Sequence, residues 1–269
     1  MTTFDVATVG DNCIDRYAAP VGLSFVGGNA VNVAVKLAAR RPGVAYFGAV
    51  GDDAAGRRVI AALRERNVDV EHLRVSSGIT AYTNIEFDAA GERVFAFEEF
   101  GVCRGYRPSD ANVELLKRLR HVHLGWLDDG GILKRTLLAA GVGVSQDLSV
   151  NAAAVDARPD GLSVAFMSSD SRDRAEVQLE EALAAGAKVS VVTLGRLGSL
   201  ASDGTTTVEA DALSVAAVDT TGAGDTFIAA FIAAQLSGHD LRTSLDAGRT
   251  DAASTCLHYG GFPQSGEPL

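Results

Sequence analysis

Short apolar runs alternate with longer helical patterns along most of this chain, and that alternation limits its possible folds more than any other feature. Residues 6–9, 44–50, 121–124, 142–148, 162–167 and 189–194 are continuous in hydrophobicity and of strand length, as expected for strands covered on both faces. Between them, residues 29–40, 54–67, 110–119, 131–140 and 174–185 read as helices. Two more helices, 223–237 and 241–257, follow. Such alternation predicts an α/β protein, a mainly parallel sheet between two helical layers (α/β/α). The 269 residues suffice for one domain of this kind, taken here as residues 1–269.

One region breaks the rhythm. Residues 80–87 and 93–97 alternate in polarity around a turn at 88–91 and predict a hairpin. With residues 24–26 it would form a small sheet outside the main one, giving lid strands near 22–27 and 80–99. A surface hairpin without a binding role fits the same pattern. The tail, residues 263–269, reads as loose.

Composition narrows the function. The 24 basic and 34 acidic residues leave a net charge of −10, which argues against nucleic acid as a partner. No apolar run has the length of a membrane span, and the N-terminus lacks the basic start of a signal peptide. A cytoplasmic protein with no membrane partner is therefore expected. Cys13, Cys103 and Cys256 are odd in number and widely spaced, which fits reduced thiols rather than disulfides or a zinc site.

The segment Val218-Asp219-Thr220-Thr221-Gly222-Ala223-Gly224-Asp225-Thr226-Phe227 carries the strongest chemical signal. A β-like run over 213–218 leads into a Thr/Gly turn, and a helix follows with Asp225 in its first turn. Helix N-termini bind anions through unpaired N–H groups and the positive dipole end, and glycines let a phosphate approach the backbone. A carboxylate there suits a general base that takes the proton of a hydroxyl attacking phosphorus. Rival motifs fail: no Gly-Lys dipeptide exists for a nucleotide-hydrolase phosphate loop, and Phe227 stands where a dinucleotide fingerprint needs a small residue. A plain glycine turn with an ordinary first-turn acid remains the structural alternative.

Three further segments carry weaker signals. Phe25-Val26-Gly27-Gly28-Asn29-Ala30-Val31-Asn32 enters a helix whose first turn sets Asn29 and Asn32 on one face, with amides suited to a polyhydroxylated ligand. Gly10-Asp11-Asn12-Cys13-Ile14-Asp15 follows the first strand, where α/β proteins bind ligands, and Asp15 is the candidate contact. Thr193-Leu194-Gly195-Arg196-Leu197-Gly198 ends another strand in a Gly-x-x-Gly turn.

These four segments, in this order, resemble the signatures of the PfkB (ribokinase-like) family of carbohydrate kinases. The resemblance implies a ribokinase-like fold and ATP-dependent phosphorylation of a sugar, with Mg²⁺. It implies Asp225 as base and the N–H groups of Gly222, Ala223 and Gly224 as the anion hole. Asp15, Gly28, Asn29 and Asn32 would face the sugar, and Thr193, Gly195 and Gly198 the nucleotide. Asp219 would help hold a monovalent cation (K⁺), as in some relatives, and the lid would be shared in a homodimer. Gly10 to Asp15, Gly27 to Val35, Val50 to Asp53, Glu92 to Phe95 and Glu99 to Val102 resemble the branch that phosphorylates the 6-hydroxyl of fructoselysine. Ribose, fructose, deoxyketogluconate and nucleosides remain alternative substrates, and a silent sugar- or nucleotide-binding paralogue and a dehydrogenase remain alternative classes. The family's N-x-x-E pattern is missing from residues 166–173, where Ser169, Asp170, Asp173 and Glu176 are the nearby polar groups.

Other residues have plainer readings. His121 and His123 are expected to be structural and Arg196 a solvated surface residue. Glu98 and Glu99 read as edge charges, with contact to the ammonium group of a lysine-bearing sugar as the alternative. Trp126, Asp128 and Asp129 follow a strand end and are candidates for the substrate side.

Overall fold

The computed structural model describes residues 4–87, 93–150, 153 and 155–269. In chain order, β1 (Val6–Val9), β2 (Cys13–Tyr17), β3 (Leu23–Gly27), α1 (Asn29–Ala38), β4 (Val44–Phe47), β5 (Ala49–Gly51), α2 (Ala54–Glu65) and β6 (Arg74–Ser76) come first. They are followed by β7 (Tyr82–Phe87), β8 (Arg93–Glu99), α3 (Asp110–Leu116), β9 (His121–Leu124), α4 (Ile132–Ala139), β10 (Gly143–Asp147), β11 (Val164–Ser168) and α5 (Arg172–Ala184). Last come β12 (Ser190–Thr193), β13 (Ser199–Ser202), β14 (Thr207–Ala210), α6 (Ala223–Leu236), α7 (Leu241–Thr255) and β15 (Glu267–Pro268).

Eight strands form the main sheet in the order β14-β13-β12-β11-β10-β9-β1-β4. Six are parallel, and β13 and β14 extend the edge antiparallel. Successive residues of β1 face opposite layers. Val6 packs with Tyr46, Phe166 and Val191 against α1, α2, α6 and α7. Ala7 and Val9 pack with Phe47, Val122 and Leu124 against α3 and α4. The helical layers on both faces are those expected from the alternation. α6 is buried continuously from Thr226 to Ala234, which explains why its small apolar residues show no polar face.

A second sheet, ordered β15-β3-β2-β7-β8, is the expected lid, enlarged. The hairpin strands β7 and β8 are present, while the turn expected at 88–91 lies outside the described residues. Two expectations change here. Residues 13–17 form the central lid strand β2 rather than a loop, paired with both β3 and β7. The tail adds β15 to β3, held by Arg58, which bonds Ser24 and pairs with Glu267 at 3.2 Å.

Two strand readings also change. The run 44–50 breaks at Gly48, where a Cβ would stand 2.1 Å from the Tyr46 hydroxyl oxygen. Its second half, β5, leaves the main sheet and pairs with β6. The run 213–218 is not a strand: β14 ends at Ala210, and Leu213, Val215 and Val218 lie exposed, the first two along the rim of a cleft.

Candidate active site

The sheet order reverses beside β1. From β1 the chain crosses to β4 on one side, then returns to β9 on the other. Crevices of this kind, at the carboxyl ends of parallel strands, are where open α/β sheets bind ligands. Gly10 and Asp11 follow β1, Trp126 follows β9, and Asp147 ends β10. Gly10 is required by contact: its φ is 149°, and a Cβ would lie 2.8 Å from the carbonyl oxygen of Trp126. The N-termini of α1 and α6 meet over this crevice.

Asp225 sits in the first turn of α6 and is gripped from α1. The side-chain amide of Asn29 donates to its Oδ1 at 2.6 Å, and that of Asn32 to its Oδ2 at 2.7 Å. The nitrogen of Asn29 also reaches Asp147 Oδ2 at 2.9 Å. A third carboxylate, Asp11, caps α1 from outside the helix, accepting from the backbone N–H groups of Asn29 at 2.9 Å and Ala30 at 3.2 Å. Burial pushes the Asp225 carboxyl up to about 7, with the charges of Asp147 and Asp11 adding to the rise and the two amides opposing it. Burial also raises Asp11 and Asp147 above the ordinary carboxylate range. At neutral pH, Asp225 is therefore poised between its two protonation states, as a general base should be.

Asn29 and Asn32 were expected to face a sugar. Their nitrogens hold the carboxylate instead, and their carbonyl oxygens are buried without a partner. Asp15, Gly28, Asn29, Asn32 and Asp225 do share one cavity of about 470 Å³, with Asp11, Glu98, Glu99 and the aromatic pair Phe100 and Trp126 in its wall. Those two rings stack at 4.0 Å. Asp15 is buried, and a Cβ on Gly27 would lie 2.1 Å from its Oδ2, so the glycine makes room for the acid. Gly28, at φ 101°, is dictated by backbone contact, since a Cβ there would lie 2.5 Å from Asn12 Cα. Glu98 and Glu99, read as edge charges or as contacts for an ammonium group, line the cavity.

A second cleft of about 470 Å³ opens on the other side of the α6 N-terminus. Thr193, Gly195, Gly198, Ala223 and Gly224 line it, with Leu213 and Val215 on its rim. Arg196 is exposed, as expected, although it touches this cleft. Thr220 lines both cavities, so the turn from Thr220 to Gly224 is the wall between them. Gly222 caps α6 at φ 71°. First-turn N–H groups have no intrahelical partner, although that of Ala223 leans back on Thr220 O at 3.2 Å, so the cradle is less open there than expected.

Asp219 lies behind this turn. The Tyr17 hydroxyl donates to its Oδ2 at 2.6 Å and Gly260 N–H at 2.9 Å, while Thr221 donates to Oδ1 from its N–H at 3.0 Å and its hydroxyl at 2.9 Å. The lone pairs expected to serve a cation are taken up by donors. Among the described residues, no three His, Cys, Asp or Glu side chains converge as a metal set. Asp170 and Asp173 point into solvent, and His121 and His123 share the Ser145 hydroxyl inside the sheet.

Sequence reading had passed over Asp11, Tyr17 and Asp147. Asp147 had a usable signal, an acid ending a parallel strand beside the switch point. Tyr17 had none, because its partner lies far away in the chain.

Comparison with known proteins agrees with this geometry. Residues 9–136 and 160–265 match the pfkB family carbohydrate kinase model. Fructoselysine 6-kinase of Escherichia coli K12 is 32% identical over 96% of this chain and 99% of its own length. Fructosamine kinase FrlD of Bacillus subtilis strain 168 is 29% identical over 94% of this chain and 91% of its own. Arabidopsis thaliana ribokinase, solved with ribose and ATP, superposes with a TM-score of 0.83 at 21% identity, covering 97% of this chain and 94% of its own. No helix among the described residues is long and apolar enough to cross a membrane. A fold of this type, two cavities meeting at a glycine turn and a family match over most of the sequence lead to one conclusion: the chain belongs to the pfkB family of carbohydrate kinases and is an ATP-dependent sugar kinase.

Proposed function

We propose that this kinase phosphorylates the primary 6-hydroxyl of an amine-bearing ketose, fructoselysine or a related ketoamine. The observation that carries the reading is the charge of the substrate cavity. Asp11, Asp15, Glu98, Glu99 and Asp225 line it, with no Lys or Arg among its described lining residues. Such a wall favours a protonated amine and repels a sugar that already bears a phosphate. The similarity to a fructoselysine 6-kinase supports the same substrate class.

In this reading the sugar lies in the acidic cavity, with Asp15 accepting from its hydroxyls and Phe100 and Trp126 against its apolar face. ATP lies in the cleft of Thr193, Gly195 and Gly198, where the glycines let it pass close to the backbone. Its γ-phosphoryl meets the N–H groups of Gly222, Ala223 and Gly224 at the start of α6, which offset the charge that builds in the transition state. Asp225 takes the proton of the attacking 6-hydroxyl. Asn29 and Asn32 are positioning residues that fix both oxygens of that base. Mg²⁺ neutralises phosphate charge when bound, and the residues present suit an ion carried largely by the nucleotide and water rather than by a protein cage.

The lid also supports a homodimer. β8 is an edge strand whose Val94, Phe95 and Phe97 are exposed, and an apolar edge of this sort invites pairing with a second copy. The chain is then one kinase domain that completes its lid by association.

The test is ADP release with Mg-ATP on fructoselysine, fructose, ribose and adenosine. The expected result is a kcat/KM for fructoselysine at least about tenfold above that for fructose, from one desolvated charge pair. Equal or reversed values would sink the ketoamine reading.

A further inference from the structure

The family resemblance implies a monovalent cation at Asp219, and the residues present do not fit one. Two backbone N–H groups, of Thr221 and Gly260, point their hydrogens at the carboxylate from fixed positions. Two hydroxyls, of Tyr17 and Thr221, complete the set. A carboxylate has about four lone-pair sites; the two N–H groups and the Tyr17 hydroxyl meet three of them, and the Thr221 proton serves either the fourth or the Tyr17 oxygen. A K⁺ ion needs several oxygens turned toward it and would face these hydrogens instead. The Tyr17 hydroxyl itself stands in front of Oδ2 at 2.6 Å. Tyr17 is fully buried, with its ring edge-on to Phe25 at 5.5 Å and to Tyr259 at 5.8 Å.

We propose that Tyr17 takes the place of the cation, so that this kinase turns over without a monovalent metal. The hydroxyl proton does locally what the ion's charge would do, holding Asp219 and with it the turn that leads into α6. Burial and the bond to Asp219 raise the phenol far above its ordinary range, so the proton stays on through any working pH. Tyr17 also does something an ion cannot. It lies on β2, two residues from Asp15 and on the same face of the strand. The substrate lid and the phosphate turn are therefore tied by one side chain. Thr221 joins the tie, its hydroxyl 2.8 Å from that of Tyr17.

The inference rests on the kinase reading for its activity arm only. Turnover and thermal midpoint would be measured with K⁺, NH₄⁺ or tetramethylammonium chloride at equal ionic strength. Since a ligand that binds only the folded state raises its midpoint, the expected changes are no more than about twofold in kcat/KM and about 1 °C. A saturable K⁺ activation of about tenfold, or a K⁺-specific rise in midpoint, overturns the proposal. The midpoint arm needs no turnover, so it remains decisive if the choice of sugar proves wrong. Tyr17→Phe keeps the ring and should cost about tenfold in kcat, the scale of one hydrogen bond to a charge. Because Tyr17 acts through Asp219, Tyr17→Phe combined with Asp219→Asn should lose no more than about twofold beyond the worse single variant. Multiplying losses, or an unchanged Tyr17→Phe enzyme, would overturn the role given to Tyr17.

Discussion

Asn29 donates to Asp225 across 2.6 Å, and this one bond joins the first turn of α1 to the first turn of α6. Asn32 takes the other carboxylate oxygen from the next turn of α1. Each oxygen of Asp225 thus has one fixed donor, and the carboxylate keeps lone pairs to spare for a proton.

Replacing Asp225 by Asn should lower turnover by about two orders of magnitude or more, the usual worth of a general base, while ATP still binds. Calorimetric titration of the variant with ATP, beside its ADP release, checks both halves. Near-normal turnover would remove Asp225 from the role of base.

The same variant has a signed effect on stability. The Asp225 carboxyl titrates at about 7 in the folded protein, against about 3.9 for a free Asp. The folded state therefore holds its proton more tightly, a stabilisation fully present below about pH 4 and lost as the pH rises through about 7. Asp225→Asn, which cannot ionise, should gain in thermal midpoint relative to the parent between pH 5 and pH 8. A constant difference across that range would contradict the raised carboxyl.

Asp147 should set where the enzyme switches on. In the free enzyme, kcat/KM is expected to rise with pH along a limb near 7 as Asp225 ionises. Asp147→Asn removes a like charge that shares the Asn29 nitrogen, so the limb should move to lower pH. A limb that stays in place in the variant's pH–rate profile would mean that Asp147 only fills space.

How much of this was legible in the sequence depends on how far apart the partners lie in the chain. The turn at 222–225 and the glycine pair at 27–28 announced themselves because their chemistry is local, a helix start with a residue type that only that backbone needs. Asp225's place in the first turn of that helix was readable for the same reason. Asp11 capping α1 from just past β1, Asp147 reaching Asn29, and Tyr17 reaching Asp219 are pairings across the fold; only Asp147's place at a strand end was visible locally, and its partner was not. The strand expected at 213–218 failed for a related cause: its hydrophobic residues pair with no strand, and Leu213 and Val215 border the second cleft instead. Gly48 hid a sheet change inside one apolar run, since the space that only a glycine leaves there is taken by the Tyr46 hydroxyl and the Gly10 carbonyl.

Glu98→Gln with Glu99→Gln should raise KM for fructoselysine by about fivefold at low salt, the scale of partly exposed charge pairs, with a smaller effect as salt is added. Free fructose, lacking the amine, should show no change. Equal effects on both sugars would assign the two acids to folding of the lid.

Gly222→Ala should cost both stability and activity. The position holds φ 71°, and a new Cβ would lie 2.4 Å from Gly261 Cα. Left-handed backbone alone costs an L-residue about 1–2 kcal/mol, and here a neighbouring backbone must move as well. Chemical denaturation of the variant should show at least that loss, and intact stability would mean the turn relaxes without it.

The wall between the two cavities is a single turn of main chain, Thr220 to Gly224, with Thr220 on both sides of it. One consequence concerns inhibition. A compound with adenosine at one end, a sugar at the other and a short polyphosphate bridge would cross this turn, meeting its peptide groups together with Thr220. Substitution in this turn disturbs the N–H groups themselves, as at Gly222, so a variant that escaped such a compound is expected to lose turnover with it.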